Sequence, residues 1–472
     1  MTRRVRPERL ILGALAALLC GAFAAAPAAT ADDRVCDYRI TLLDNAATKL
    51  DITAVCDPAL KVERFTALSD RRHWTTDATQ HGTGNGHFGF DLGAFAAEAN
   101  DMGAAMPYDG GVLVSPGFLL PLPETEAAAT LRFRVEFPQG GEIQTALKPD
   151  AEGRYVVPLL RIDEVGPILL GSVGVAAVPG DPQLRLAMPA DSLQLAPATL
   201  AAWVSAAAES NRRFWARSPA QGGLVVLVPS ERGGIPFGRV MSLGGSVVTV
   251  LVGRQASAAD LYDDWVLVHE LLHLGSPLMR DTGAWLNEGI ATFYEPILRA
   301  RAGWKSEDDI WREWIGQMPR GMPAMTEIGL ENAGRAGIYW GGALFVLLAE
   351  IEALKASGGR IGFSDCLRAV LAEGADATVK WPTARLLQRC DDLLGAPVLA
   401  PLAERHIAQG SNLGGSATAL SQIWDMLGVA LTADGRVRYD DRAELAWLRP
   451  LIIWGGAERP APIPATGFHQ GG

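Results

Sequence analysis

The sequence predicts an α+β chain of several domains: a β-sandwich-like unit first, a mixed strand–helix core next, and a mainly helical region last. Three observations carry this reading. Apolar and polar residues alternate with period two in most of the chain up to about residue 185. Helical spacing sets in after Pro179, interleaved with two short apolar strands. From Gly303 to about Met426 the pattern is helical. A length of 472 residues exceeds what one ordinary core serves, and 49% hydrophobic with 20% charged residues is a globular composition. The expected divisions are 32–185, 186–303 and 304–445, with a Pro-, Ala- and Gly-rich tail, 446–472, expected to be disordered.

The first thirty residues stand apart. Arg3, Arg4, Arg6 and Arg9 form a basic start, an apolar run follows from Leu10 to Ala26, and Ala29-Thr30-Ala31 offers a small-x-small pattern. This is the layout of a secretory signal peptide cleaved after Ala31; a retained anchor is the alternative, because the run is near spanning length. Later apolar runs are short or broken by Pro116, Pro121 and Pro450, so no transmembrane segment is expected in the mature chain. Cleavage would remove four Arg and one Glu from 42 basic and 53 acidic residues, leaving 38 against 52 and a formal charge of −14. With no Lys/Arg stripe, that surface excludes nucleic acid as a partner. The cysteines left after cleavage form two close pairs, Cys36 with Cys56 and Cys366 with Cys390. In an oxidising compartment they suggest two disulfides, with buried free thiols as the alternative.

The elements follow in order. Tyr38–Leu42, Leu50–Val55 and Leu131–Phe137 alternate as half-exposed strands, and Asp109-Gly110-Gly111 and Gln139-Gly140-Gly141 mark turns, which together read as an antiparallel sandwich. Gly82 to Gly86 is a glycine-rich loop with no helix after it. Leu200, Trp203, Val204, Ala207, Phe214 and Trp215 place an amphipathic helix over Thr199–Arg217. Leu224–Val228 and Ser246–Val252 read as strands. Ser257 and Asp260 form a capping box that opens a helix running to about Leu274, and a second helix covers Trp285 to Ala302. Asp434-Gly435 inside Val429–Tyr439 predicts a hairpin.

The chemistry lies in His269-Glu270-Leu271-Leu272-His273, inside a helix with apolar neighbours. Residues four apart share a helix face, so both imidazoles can reach one metal ion, and Glu270 beside them can polarise a bound water. Two buried histidines and a buried carboxylate are costly without partners, and coordination removes that cost. A catalytic zinc takes three protein ligands and keeps one open position. Glu288, fifteen positions after His273 in Trp285-Leu286-Asn287-Glu288-Gly289-Ile290-Ala291-Thr292, sits on the next helix and is the candidate third ligand. Of the other histidines, His73, His81 and His87 read as surface residues of the β region, His406 as a solvated helix end, and His469 as part of the tail. Asp263 and Asp264 are either partners of the histidines or a solvated face.

His-Glu-x-x-His followed by Asn-Glu-Gly on the next helix resembles the gluzincin metallopeptidases, and Trp-Leu-Asn-Glu-Gly-Ile-Ala-Thr resembles their aminopeptidase N and glycyl aminopeptidase families. The resemblance implies a thermolysin-like catalytic core for 186–303, one Zn2+ ion held by His269, His273 and Glu288, Glu270 as the catalytic base, and a peptide or protein substrate. Tyr339-Trp340-Gly341-Gly342-Ala343 resembles the Tyr-x-x-Gly-Ala segment, which would make Tyr339 the donor to the oxyanion. These families bind substrate along an edge strand, and Gly244, Gly245, Ser246 and Val247 are placed for it. One departure matters. Where aminopeptidase N relatives carry Gly-Ala-Met-Glu-Asn, whose glutamate holds the substrate amine, this chain has Val240-Met241-Ser242-Leu243-Gly244, and the nearest carboxylate is Glu231. The expectation is a secreted or periplasmic zinc metallopeptidase, tilted toward internal cleavage, with a strict aminopeptidase or a non-catalytic scaffold with a vestigial zinc site as alternatives.

Overall fold

The computed structural model describes residues 34–66, 72–77, 84–138, 142–188, 193–219, 222–279, 284–406 and 417–455. The expected signal peptide, His81, His469 and the tail beyond residue 455 lie outside the described residues.

Alternation builds the first unit. In Val35–Leu42 the buried positions are Cys36, Tyr38, Ile40 and Leu42, one face of a strand. Its six-stranded sheet runs in the order Tyr155–Pro158, Thr130–Glu136, Val35–Leu42, Lys49–Cys56, Asn85–Asp91, Trp74–Asp77. A four-stranded sheet of Glu142–Gln144, Ile168–Gly171, Gly111–Val114 and Ala105–Tyr108 shares its core: Ile40, Ile52 and Phe88 lie in one cluster with Val112, Val114 and Ile168. The sandwich is not purely antiparallel, because Val35–Leu42 pairs in parallel with Thr130–Glu136. Cys36 stands opposite Cys56 in the hairpin ladder and is bonded to it.

A third sheet has five strands in the order Gly174–Val178, Asp181–Met188, Gly223–Ser230, Val247–Gly253, Phe237–Met241. The expected boundary at residue 185 therefore falls inside the strand Asp181–Met188, and the sheet begins at Gly174. The reason is a crossover. Asp181–Met188 runs parallel to Gly223–Ser230, and the helix Pro197–Trp215 returns the chain between them. Gly223–Ser230 reads as one apolar run because both its faces are covered. Val225 and Leu227 pack with the helices, while Leu224, Val226 and Val228 pack with Leu113 and Leu169 of the sandwich.

The helix expected over 257–274 is two helices. Ser257 and Asp260 make the capping box of Ala258–Asp263, but Asp264 then adopts extended geometry with ψ 146°. Its carboxylate accepts from the N–H groups of Val266 at 2.9 Å and Leu267 at 3.1 Å, which caps a new helix, Val266–His273. Arg299 donates to the carbonyls of Tyr262 at 3.4 Å and Asp263 at 2.9 Å, so the break is tied to the following helix, Trp285–Arg301. Asp264 is thus a helix cap held in the core, not part of a solvated face.

Trp285–Arg301 crosses the helix Gly342–Ser357 at two glycines. A Cβ on Gly289 would lie 2.4 Å from the Gly342 carbonyl carbon, and one on Gly342 would lie 2.2 Å from the Trp285 oxygen. Among the described residues, Gly337–Ser357 is the one helical segment long and apolar enough to cross a membrane, but most of it is buried in the core. That cluster runs unbroken from Val225 through Trp311 and Leu386 to Ile453, so the boundary expected at 303 divides no core. Cys366 is bonded to Cys390 between the helices Phe363–Ala372 and Thr383–Leu394. The hairpin forms as Val429–Leu431 and Val437–Tyr439.

Two expectations fail here. Residues 446–455 were expected in a disordered tail, yet Arg449–Trp454 is a helix whose Ile452 and Ile453 are buried and whose Ile453 carbonyl accepts from Arg301 at 2.7 Å. His406 is 1% exposed, with Nδ1 2.9 Å from the Met325 carbonyl, because Leu330 N–H docks on the His406 carbonyl and draws it inward.

Gly289→Ala places a methyl where backbone already sits. It should destabilise the fold by about 2–3 kcal/mol. Urea denaturation checks this, and an unchanged midpoint would show that the helix crossing is loose.

Candidate metal centre and cleft

His269 and His273 stand one turn apart on one face of Val266–His273, and Glu288 reaches them from the first turn of the next helix. Glu288 Oε2 lies 3.1 Å from His269 Nε2 and 3.6 Å from His273 Nε2. One ligand atom from each of the three falls within 4.8 Å of the others. Asn287 sets this reach. Its Oδ1 accepts from Met279 N–H at 2.8 Å, and its Nδ2 donates to the Pro277 carbonyl at 3.0 Å and Ser276 Oγ at 3.4 Å. The loop after the histidines is thereby laced to the residue before Glu288.

The electrostatics match the donor set. Burial by itself would raise the Glu288 pKa, but the two imidazoles hold it well below the usual carboxylate range. Burial lowers the pKa of His269; at His273 burial also acts downward, but the charge and hydrogen bond of Glu288 together with the charge of Glu270 outweigh it and raise the pKa. His269 Nδ1 and Thr292 Oγ1 are buried without a partner. Two imidazole nitrogens, which lose their protons on binding a metal, and an ionised carboxylate, packed together with one side toward a cleft, fit a zinc ion. Glu270 differs from Glu288: burial pushes it up to about 7, helped by the charges of Glu288 and Asp264 and opposed by His273 and Arg239. It lies against Gly238, where a Cβ would come within 2.7 Å of its Cγ and 2.6 Å of Val266 Cγ1. Tyr339 sits in a π-helical turn, Gly337–Gly341, its ring stacked on His269 at 5.9 Å. Burial raises its pKa well above the usual tyrosine value, and it hydrogen-bonds Glu288.

The structure therefore gathers His269, Glu270, His273, Glu288 and Tyr339, but not the expected substrate strand. Gly244 and Gly245 form a turn with φ of 77° and 141°, and Ser246 is buried. Val247 opens an interior strand whose ladder is occupied by Gly223–Ser230 on one side and Phe237–Met241 on the other. Its backbone has no free edge to offer. The edge strand is Phe237–Met241, and it forms one wall of a cleft of about 400 Å³ that also holds Glu270, His273, Glu288 and Tyr339. The glycine at 238 inside a strand pattern was the sequence cue for this close approach. Glu231 is 86% exposed and pairs with Arg254, away from the cleft. Glu164 enters it instead, held between Arg161 at 2.7 Å and Lys380 at 2.6 Å, and nothing in its local sequence marks it. A second cavity of about 570 Å³ lies beyond Tyr339, lined by Trp265, His269, Thr292, Glu295 and Arg335.

Asp264 makes a pH prediction. Burial pushes its carboxyl up to about 6. Its folded pKa exceeds the unfolded value of about 3.9, so its ionised form opposes folding: the penalty is absent below about pH 4 and fully present above about pH 6. Allowing for partial solvent contact, it amounts to about 2 kcal/mol. Asp264→Asn keeps a cap acceptor and cannot ionise. Urea midpoints should show the wild type losing ground to this variant as pH rises from 4 to 7; a constant difference would refute the assignment.

By sequence, no protein-family model matches the chain, and no curated protein does. By structure, it is similar to an aminopeptidase N family protein from Idiomarina loihiensis, with TM-score 0.57, 12% identity, and coverage of 84% of this chain and 79% of that one. It also matches an M1 zinc metallopeptidase from Deinococcus radiodurans (TM-score 0.46, 13% identity, 82% of this chain and 95% of that one). Yeast LTA4 hydrolase matches with TM-score 0.45 and 14% identity, over 84% of this chain and 72% of that one. The fold comparison rests on the first of these: the chain has the fold of the aminopeptidase N family protein.

Proposed function

We propose that this chain is a zinc-dependent metallopeptidase acting on peptides or proteins outside the cytoplasm. The observation that carries the reading is the convergence of His269, His273 and Glu288 with Glu270 at an open cleft walled by an edge strand. A zinc ion bound there supplies a Lewis acid and an acidified water. The chain's residues do the rest. Phe237–Met241 receives an extended substrate backbone as an added strand. Glu270, with a pKa near neutrality, takes a proton from the attacking water and passes it to the leaving amine. The Tyr339 phenol, kept neutral by burial, donates to the oxyanion as charge develops.

Internal cleavage is favoured over strict aminopeptidase action. Val240 to Leu243 bring no carboxylate to the cleft, and Glu164 is neutralised by Arg161 and Lys380. Location outside the cytoplasm is supported by the signal-like residues 1–31 and by both disulfides.

The deciding experiment is a mixed peptide pool incubated with and without a chelator, with product ends mapped. Chelator-sensitive internal cuts are expected; no chelator-sensitive cleavage would favour a non-catalytic scaffold. Glu270→Gln should retain zinc and lose about 10²–10⁴-fold in kcat; full activity would sink its role. Glu288→Ala should lose zinc by elemental analysis, and unchanged metal content would remove it from the ligand set.

A further inference from the structure

The cleft and the second cavity meet at Tyr339. Their carboxylates are accounted for. Glu164 lies between Arg161 and Lys380, Glu295 pairs with Arg299 at 3.0 Å, and Glu313 pairs with Lys305. Glu288 faces His269 at 3.1 Å and His273 at 3.6 Å. Three exposed guanidiniums face this space: Arg239 on the edge strand, Arg335 one turn before Tyr339, and Arg320, which bonds the Gln317 amide oxygen at 2.8 Å. Among the described residues none of the three has a carboxylate partner, and only Arg335 lines both cavities.

Arg335 is the best placed. It lines both cavities, and its charge acts on the Tyr339 phenol. Trp265 also lines both, 47% exposed, its ring edge-on to His269 at 5.1 Å. An indole surface and an unpaired planar guanidinium beside the reacting centre recognise an anion carried on an apolar stem, and a guanidinium takes a carboxylate through two parallel hydrogen bonds. Building on the peptidase reading, we infer that this cleft selects peptides that place a carboxylate next to the scissile bond, and that Arg335 receives it. The carboxylate is that of an acidic side chain or of a free C-terminus.

The test uses the zinc-loaded full chain and four peptides sharing one cleavable core. They carry Glu or Gln beside the scissile bond, each with a free or an amidated C-terminus. The wild type should favour a carboxylate by about 10–100-fold in kcat/KM, chiefly through KM. Preference that follows Glu over Gln identifies the side chain; preference that follows acid over amide identifies the terminus. Arg335→Gln should bring the ratio to about one, and Arg335→Glu should invert it. Chelator-sensitive cleavage indifferent to the carboxylate overturns this inference and leaves the peptidase reading standing. No cleavage of any peptide overturns both. A preference that survives Arg335→Gln removes Arg335 from the role.

Discussion

The contact on which the site depends is backbone against backbone, where Gly289 meets Gly342. No side chain separates the two helices there, so their spacing is set by main-chain atoms. Glu288 immediately precedes one glycine, and Tyr339 lies three residues before the other. The same contact therefore fixes the carboxylate and the phenol relative to each other. Polar ties complete the frame. Asn287 laces the loop after His273 to its own helix, and Arg299 secures the break from which Asp264 caps the histidine helix.

Within that frame, environment separates two carboxylates into two roles. Glu288 faces two imidazoles and stays ionised; Glu270, a few residues away in sequence from His273, is buried against an edge strand and holds its proton to about pH 7. Desolvation acts on both; at Glu288 the hydrogen bonds and charge of two adjacent imidazoles outweigh it, while at Glu270 the charges of Glu288 and Asp264 work against those of His273 and Arg239. The glycine at 238 matters for the same reason. It lets the strand backbone approach Glu270, which places the proton carrier beside the groove where an extended chain would lie.

The reading of local pattern worked where a residue's partners are near in sequence. The histidine pair, the capping box at Ser257, the Asp434-Gly435 hairpin and the close cysteine pairs depend on short-range spacing and helix or strand period. It failed where a distant segment decides. Ser246–Val252 reads as a strand by composition, and the family resemblance placed the substrate edge at Gly244–Val247, but strand order is set by the crossover helix and by the return of Phe237–Met241, which the pattern of one strand does not encode. His406 and Arg449–Trp454 looked solvated because the apolar surfaces that cover them come from residues far away in the chain. The helix over 257–274 broke at Asp264 because its side chain competes for two backbone N–H groups, a local cue outweighed in the sequence by continuous helical periodicity.

The sequence by itself determined the donor chemistry: which nitrogens and carboxylates share a helix face or a neighbouring helix, since a period of 3.6 residues and a short connection settle that. Only the tertiary structure decided what surrounds those donors. It chose the strand that borders the cleft, brought Glu164 in and left Glu231 out, and set Arg239 and Arg335 on the walls with no carboxylate partner among the described residues. Those choices arise from strand order and helix crossing, which depend on how complete faces pack and not on the residues within any single element.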